Sequence, residues 1–344
     1  MKIIRHFFIL LFLLNINAIQ AQSASEELDN FFKRIEQRNL AMGSVSISKK
    51  GKIVYHNSFG YSSFSPAVKA DTSTTYLIGS ISKLLTATII LQNVDEGKIS
   101  FNDKLEKFFP ELPGASEITV EHLLNHRSGI HNFGADRSKK YRDVNPQTRE
   151  EILEVFRNEK LDFAPGKKFE YNNANYLLLS LIAEEIDDTT FATILASRIT
   201  APLKMKNTFL STDSLSAAAQ SFYWQGKWLP VPKGDPSHIL GAGAIASSTV
   251  DMNLFLHALF QNHFFPQELL NKMITVTGGA GLGIFKYPFY SRNCYGHGGS
   301  IAAFESIAIY FPEDEVAVSI FLNAERMQLN DILKETLEIY FNTK

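Results

Sequence analysis

The stretch YLIGSISKLLTATIILQNVDEGKIS, Tyr76 to Ser100, limits the folds open to this chain more than any other. A short strand-like lead runs into Gly79-Ser80. Leu84, Leu85, Ala87, Ile89, Ile90, Leu91 and Val94 then leave almost no polar face, and Gly97 supplies a C-terminal stop. A helix apolar nearly all round belongs deep inside a domain. Ser80 stands at its head, where unpaired backbone N–H groups and the positive end of the helix dipole point. Lys83 follows one turn later on the same face. A hydroxyl so placed, with an amine in reach to take or steer its proton, suits a nucleophile.

The Ser-x-x-Lys spacing alone carries little weight, because SISK occurs at 46–49 as well as at 80–83. The first copy lies in an alternating strand pattern running into Lys50-Gly51, where positions i and i+3 face opposite ways. Tyr55-x-Asn57 and Lys49-x-Gly51 in the same hairpin are chance matches of the same kind. Two more distant patterns complement the second copy. Tyr171-x-Asn173 follows the Pro165-Gly166 turn and precedes a helix over 174–186, which Asn172 or Asn173 can cap. His297-Gly298-Gly299 precedes a strand pattern, and its two glycines would let backbone approach a ligand closely. Taken singly, a packed tyrosine beside a helix cap and a glycine turn with an incidental histidine are the better explanations. Their order and contexts together are far more specific.

The rest of the chain frames these motifs. Leu28, Phe31, Phe32 and Ile35 give a one-faced helix, and Gly43 to Gly60 two strands. Asn132 to Gln147 is a polar loop and a candidate lid. Thr148 with Glu151, and Ser248 with Asp251, cap helices. Strand-like runs cover 281–285, 304–311 and 316–322, and an amphipathic helix begins near Asn330. Strands at both ends with helices between predict an α+β fold. Its antiparallel sheet is formed from both chain ends and flanked by helices, with an inserted, mostly helical domain. The expected division is an α/β part over about 22–98 and 232–344 and a helical part over about 99–231.

With 344 residues, 45% of them hydrophobic, the chain can bury a sizeable core. A net charge of −2 leaves no basic footprint for nucleic acid. Residues 1–21 read as a signal peptide: Lys2, Arg5 and His6, an apolar run from Phe7 to Leu14, then small residues at Ala18 to Ala21. That run is too short for a membrane span, which needs about 20 residues. A periplasmic or secreted protein follows, with no transmembrane segment in the mature chain. The sole cysteine, Cys294, excludes an internal disulfide and reads as a buried small hydrophobe. His122 and His126 sit at i and i+4 with His131 nearby, yet the acid of a zinc-protease motif is missing, so no metal and no cofactor is expected. Gly241-x-Gly243-x-x-Ala246 reads as a glycine loop beside the cleft rather than a dinucleotide site, and Tyr223, Trp224 and Trp228 either rim the substrate or, at least as well, pack in their hairpin.

The three motifs together resemble those of the serine β-lactamase-like superfamily: class C β-lactamases, penicillin-binding proteins, D-alanyl-D-alanine carboxypeptidases, D-aminopeptidases and esterases. The segments ITVEHLLNHRSGI, FAPGKKFEYNNANYLLLSLIAEE, GAGAIASS and YGHGGSIAAFES carry the likeness around them. The resemblance implies Ser80 as acylated nucleophile with Lys83 beside it, and Tyr171 as proton relay or base. Asn173 would bind the substrate amide and the lysine. His297 would hold the cation position of the third motif, with Gly298 and Gly299 beside it. The N–H groups of Ser80 and Ser300 would form an oxyanion hole. The implied partner is a small-molecule or peptide substrate, peptidoglycan-derived among others: D-amino-acid peptides, β-lactams or small esters. A catalytically weak cell-wall-binding or regulatory protein on the same scaffold is the alternative.

Magnitudes bear on the base. A free tyrosine with pKa ~10 is about 0.1% phenolate at pH 7, and half-ionising it takes roughly 4 kcal/mol. A neutral lysine needs a comparable shift, and the sequence leaves both open. Two departures stand out. His297 replaces the lysine common in β-lactamases, and Ala303 precedes Phe304 where the family often has glycine. Both lower the expectation of efficient β-lactam hydrolysis.

Overall fold

In a computed structural model of the chain, the described residues are 23–132, 148–213, 218–232 and 234–343. The expected signal peptide, and all of the expected lid except Asn132, lie outside them.

Both chain ends meet in one antiparallel sheet. Its strands are β1 (Ala41–Lys49), β2 (Lys52–Phe59), β3 (Phe285–Phe289), β4 (Arg292–Ile301), β5 (Phe304–Phe311) and β6 (Val316–Glu325). The spatial order is β3-β4-β5-β6-β1-β2, so β1 pairs with β6 from Ala41↔Glu325 to Lys49↔Val316. This is the expected α+β architecture. Two-residue reversals in left-handed backbone close two of the hairpins: Lys50-Gly51 (φ 53° and 72°) and Ala302-Ala303 (φ 47° and 63°). Alanine in both positions of the second turn is strained, because each Cβ crowds the following carbonyl.

Alternation along the strands divides the core in two. One face sends Val45, Ile47, Cys294, Ile307 and Ile309 against α1 (residues 23–37) and the C-terminal helix α5 (Leu329–Phe341). The other sends Ala308, Tyr310, Ala317 and Phe321 toward α2 (Ser82–Asp95) and α4 (Thr249–Phe260). Asn253 of α4 ties into this face, donating to Ser46 O at 3.0 Å and accepting from Ser319 Oγ at 2.8 Å. Ser46 is therefore buried while Lys49 is exposed, which parts the first Ser-x-x-Lys pair.

The helix α2 is buried on every side. Leu84, Leu85, Ile89, Ile90 and Leu91 are all at 0% exposure, each contributing roughly 2 kcal/mol as an upper estimate. Gly97 (φ 70°) ends it in a Schellman arrangement, with Gly97 N–H donating to Val94 O and Lys98 N–H to Asn93 O, both at 3.0 Å. Ahead of it, Tyr76–Leu77 pairs with Ile245–Ser247, which also pairs with Phe209–Leu210. That small sheet sets the Gly241–Ala244 loop beside the first turn of α2. On the helical side α3 (Asn173–Asp187) packs on α2, and Arg149–Arg157 begins at the predicted Thr148/Glu151 capping box.

Three expectations need correction. The run 281–285 is not a strand: Gly281 N–H donates to Ile284 O, Gly283 turns left-handed (φ 72°), and β3 starts at Phe285. Buried Leu282 and Ile284 gave that loop a strand-like pattern. His297-Gly298-Gly299 does not precede a strand but lies within β4. His122 and His126 do not share a helix face, because the helix ends at Leu124 and His126 is left-handed (φ 58°).

Among the described residues no helix is long and apolar enough to cross a membrane.

Candidate active site

Ser80 occupies a single 3-10 turn, Gly79–Ile81, that feeds directly into α2. The strand β4 lies against this turn. A Cβ on Gly299 would stand 2.0 Å from Ile78 O, and one on Gly79 would stand 3.0 Å from Ser300 N. Only glycine at 299 allows that approach, whereas a Cβ on Gly298 would meet nothing closer than 3.6 Å. The Ser300 amide is thereby carried next to the nucleophile turn. Ser306 Oγ braces the approach by donating to Ile78 O at 2.9 Å.

Lys83 is fully buried, and its Nζ has three oxygen neighbours: Ser80 Oγ at 3.1 Å, Asn173 Oδ1 at 2.8 Å and Ala242 O at 2.7 Å. No carboxylate is among these contacts, so burial drives its pKa well below that of a free lysine. Asn173 Oδ1 and Ala242 O can only accept hydrogen bonds. A neutral amine gives its two N–H bonds to them and turns its lone pair toward the Ser80 hydroxyl. The glycine loop beside the cleft thus supplies one of the two acceptors that orient the amine.

The ring of Tyr171 lies 4.9 Å from Lys83 Nζ. Its hydroxyl is buried without a hydrogen-bond partner, and burial holds its pKa above the ordinary range, opposed in part by Ser80. The phenol is therefore neutral in the resting protein. Asn172, not Asn173, caps α3, with its side chain accepting from Ala174 N–H. That frees Asn173 to turn toward Lys83.

His297 is 3% exposed, between Phe285 (ring centroids 4.9 Å) and Tyr171 (6.0 Å). Its Nδ1 faces Gly298 O at 2.5 Å. A carbonyl can only accept, so Nδ1 carries the proton and Nε2, buried and unpaired, is an acceptor. Burial, then nearby Lys83, pushes its pKa down to about 3. This imidazole is not a cation at neutral pH, contrary to the charge that the third-motif position implies. Cys294, on the same strand, faces the opposite core, its thiol donating to Tyr287 O and pushed up to about 12 by burial.

Sequence reasoning missed His126 as a member of this site. It is 1% exposed with its ring 4.5 Å from that of Tyr171, and burial, then Lys83, lower its pKa well below the ordinary value. The signal was its place in LLNHRSG, obscured by pairing it with His122. His122 instead closes its own capping box, its ring accepting from Thr119 N–H at 3.2 Å. Among the described residues no group of three or more His, Cys, Asp or Glu is placed to hold a metal ion.

Known proteins resemble this chain over nearly its whole length. The sequence pattern of the family described as Beta-lactamase matches residues 28–338. The teichoic acid D-alanine hydrolase of Staphylococcus aureus is 25% identical over 332 residues, spanning 92% of this chain and 81% of that protein. The D-amino acid amidase of Ochrobactrum anthropi SV3 superposes with a TM-score of 0.81 at 24% identity, covering 92% of this chain and all of the other. The octameric penicillin-binding protein homologue of Pyrococcus abyssi gives a TM-score of 0.80 at 27% identity, over 92% and 77% of the two chains.

Proposed function

As the chain belongs to the Beta-lactamase family of serine hydrolases, we propose that it cleaves small ester or amide substrates through an acyl-enzyme on Ser80. The observation that carries this reading is the coordination of Lys83: two pure acceptors and the Ser80 hydroxyl around a buried amine without a counter-ion. In the proposed sequence neutral Lys83 takes the Ser80 proton as Oγ attacks the carbonyl carbon. The N–H groups of Ser80 and Ser300 receive the oxyanion. Tyr171, a neutral phenol, gives its proton to the departing oxygen or nitrogen and is reprotonated from the Lys83 ammonium. Water then enters by the reverse route and frees the acyl group. Asn173 orients Lys83 and the substrate amide, while Gly298 and Gly299 form the strand edge along which the substrate lies.

The acyl group is a D-amino acid such as D-alanine. Two observations support this class: the likeness to a teichoic acid D-alanine hydrolase, and a neutral His297 where a carboxylate-bearing peptide or β-lactam would meet a positive charge. A β-lactam is then expected to acylate Ser80 and turn over slowly. The cleft lies between an α/β part, about 22–98 and 232–344, and a helical part, about 99–231. Export through residues 1–21 would place the enzyme where cell-wall D-alanyl groups are found.

Intact-mass detection of the acyl-enzyme across β-lactams, D-aminoacyl amides and short esters, with Ser80→Ala as control, tests the reading. Adducts on the unmodified protein and none on Ser80→Ala support it. Turnover by Ser80→Ala would overturn it.

A further inference from the structure

Around Tyr171 the chain is held by one residue on three counts. Glu170 N–H donates to His126 O at 2.9 Å. Asn172 N–H donates to His126 Nδ1 at 3.1 Å. Between those two anchors the Tyr171 ring lies over the His126 imidazole, centroids 4.5 Å apart and planes at 36°. The histidine is itself braced. Asn175 Nδ2 lies 3.3 Å from the same Nδ1, Asn175 Oδ1 accepts from Ser128 Oγ at 2.6 Å, and Tyr176 closes the far side at 5.1 Å. Backbone N–H and side-chain NH₂ groups can only donate, so Nδ1 is the acceptor and the proton sits on Nε2.

The left-handed backbone at His126 (φ 58°) is uncommon for a residue with a Cβ. It turns the carbonyl and the ring of one residue toward the same three-residue segment. An amide side chain could cap Asn172 N–H and an aromatic ring could stack on Tyr171, but a neutral imidazole does both.

We propose that His126 is a positioning residue that sets the Tyr171 phenol between Ser80, Lys83 and the leaving group by gripping the backbone on both sides of Tyr171 and stacking on its ring. The proposal rests on the acyl-enzyme reading above, and nothing in the likeness to known proteins assigns the residue a role. His126 touches neither substrate nor the reacting atoms. It acts through Tyr171, so its loss falls on the step that uses the phenol. A displacement near 1 Å at a proton donor lowers turnover about 10²-fold.

The test is a double-mutant cycle on the full chain with two probes, a D-alanyl p-nitrophenyl ester and a D-alanyl p-nitroanilide, with Ser80 acylation followed by intact mass. His126→Ala is expected to lower the acylation rate on the anilide, read as release of the first equivalent of leaving group, about 10²-fold with KM within threefold. Its loss on the ester, whose leaving group departs without a proton, is expected to be smaller. In the Tyr171→Phe background the same substitution is expected to change the acylation rate by less than threefold. His126→Asn, which keeps an acceptor for Asn172 N–H but not the stacked ring, is expected to lose about tenfold. It replaces His126→Ala in the cycle if that variant does not fold.

Multiplicative losses in the two backgrounds, or equal losses on ester and anilide, would overturn the positioning role. So would a His126 variant within threefold of the unmodified enzyme. An unmodified protein that forms no adduct at Ser80 would instead overturn the acyl-enzyme reading and this inference with it.

Discussion

Lys83 Nζ and Asn173 Oδ1 lie 2.8 Å apart although 90 residues separate them in the chain. That bond joins the first turn of a buried helix to the first residue of another, and it holds the amine with its remaining capacity directed at Ser80. Because Asn172 takes over the capping of α3, Asn173 is left to make the contact. The two asparagines look interchangeable in sequence and have different work in the fold.

Lys83→Met should abolish the base while leaving the buried volume filled. Acylation of Ser80 by a p-nitrophenyl ester is expected to slow by at least 10³-fold, as followed by stopped-flow release of nitrophenol. In the unmodified enzyme acylation should rise with pH until Lys83 is neutral and then level, because burial lowers its pKa and the amine acts as free base.

Tyr171→Phe should discriminate between substrates by leaving group. With the phenol neutral and held above its ordinary pKa by burial, its service is to donate a proton. Acylation of Ser80 by the amide is expected to slow 10²–10⁴-fold and by the p-nitrophenyl ester far less, read as release of the first equivalent of leaving group. Equal losses on both would show that the phenol serves as the base instead.

Acid should weaken the fold through the two buried imidazoles. His297 and His126 are neutral in the folded chain, while in the unfolded chain both protonate below pH 6.5. The unfolded state therefore binds more protons in that window, and stability falls as pH falls. His297, with a folded pKa of about 3, accounts for a loss on the order of 4 kcal/mol between pH 6.5 and pH 3. His297→Asn should flatten that slope in urea melts taken across the range. His297→Lys should raise kcat/KM for substrates bearing a carboxylate beside the scissile bond relative to those without one.

The tight turn at Ala302-Ala303 offers a stability test. Both residues are left-handed, and asparagine followed by glycine is the pair such a turn favours. Ala302→Asn with Ala303→Gly should raise stability by about 1 kcal/mol, or roughly 1–2 °C in Tm by calorimetry. The Ser221 hydroxyl keeps its bond to the carbonyl of residue 302, which the substitution leaves in place.

Much of the fold was legible in the sequence because burial writes period and punctuation into it. The all-round apolar run after Lys83, the glycine after it, the Thr148/Glu151 box and the paired strands at both ends all follow from local rules. What escaped was set by close approach between segments far apart. Gly299 looks like a turn residue, yet its missing Cβ lets a strand lie against Ile78. Leu282 and Ile284 look like a strand, yet they are buried from a loop. His126 looks like the second of a histidine pair on a helix, and only its left-handed backbone carries it away from His122 to Tyr171. That His297 is mostly neutral at pH 7 was legible from its residue type, but how far its pKa falls was not, since that depends on how completely other elements exclude water from the ring.

The order of the main sheet has a bearing on how this protein comes into being. Its first strand lies between its second and its last, so in a nascent chain that already carries Ser80, Lys83 and Tyr171 one edge of β1 stays unpaired until synthesis has passed Glu325. A product that ends between Tyr171 and β4 therefore holds the nucleophile without the strand edge it works beside. Completeness is checked by the architecture itself, and a reactive serine is not assembled ahead of time.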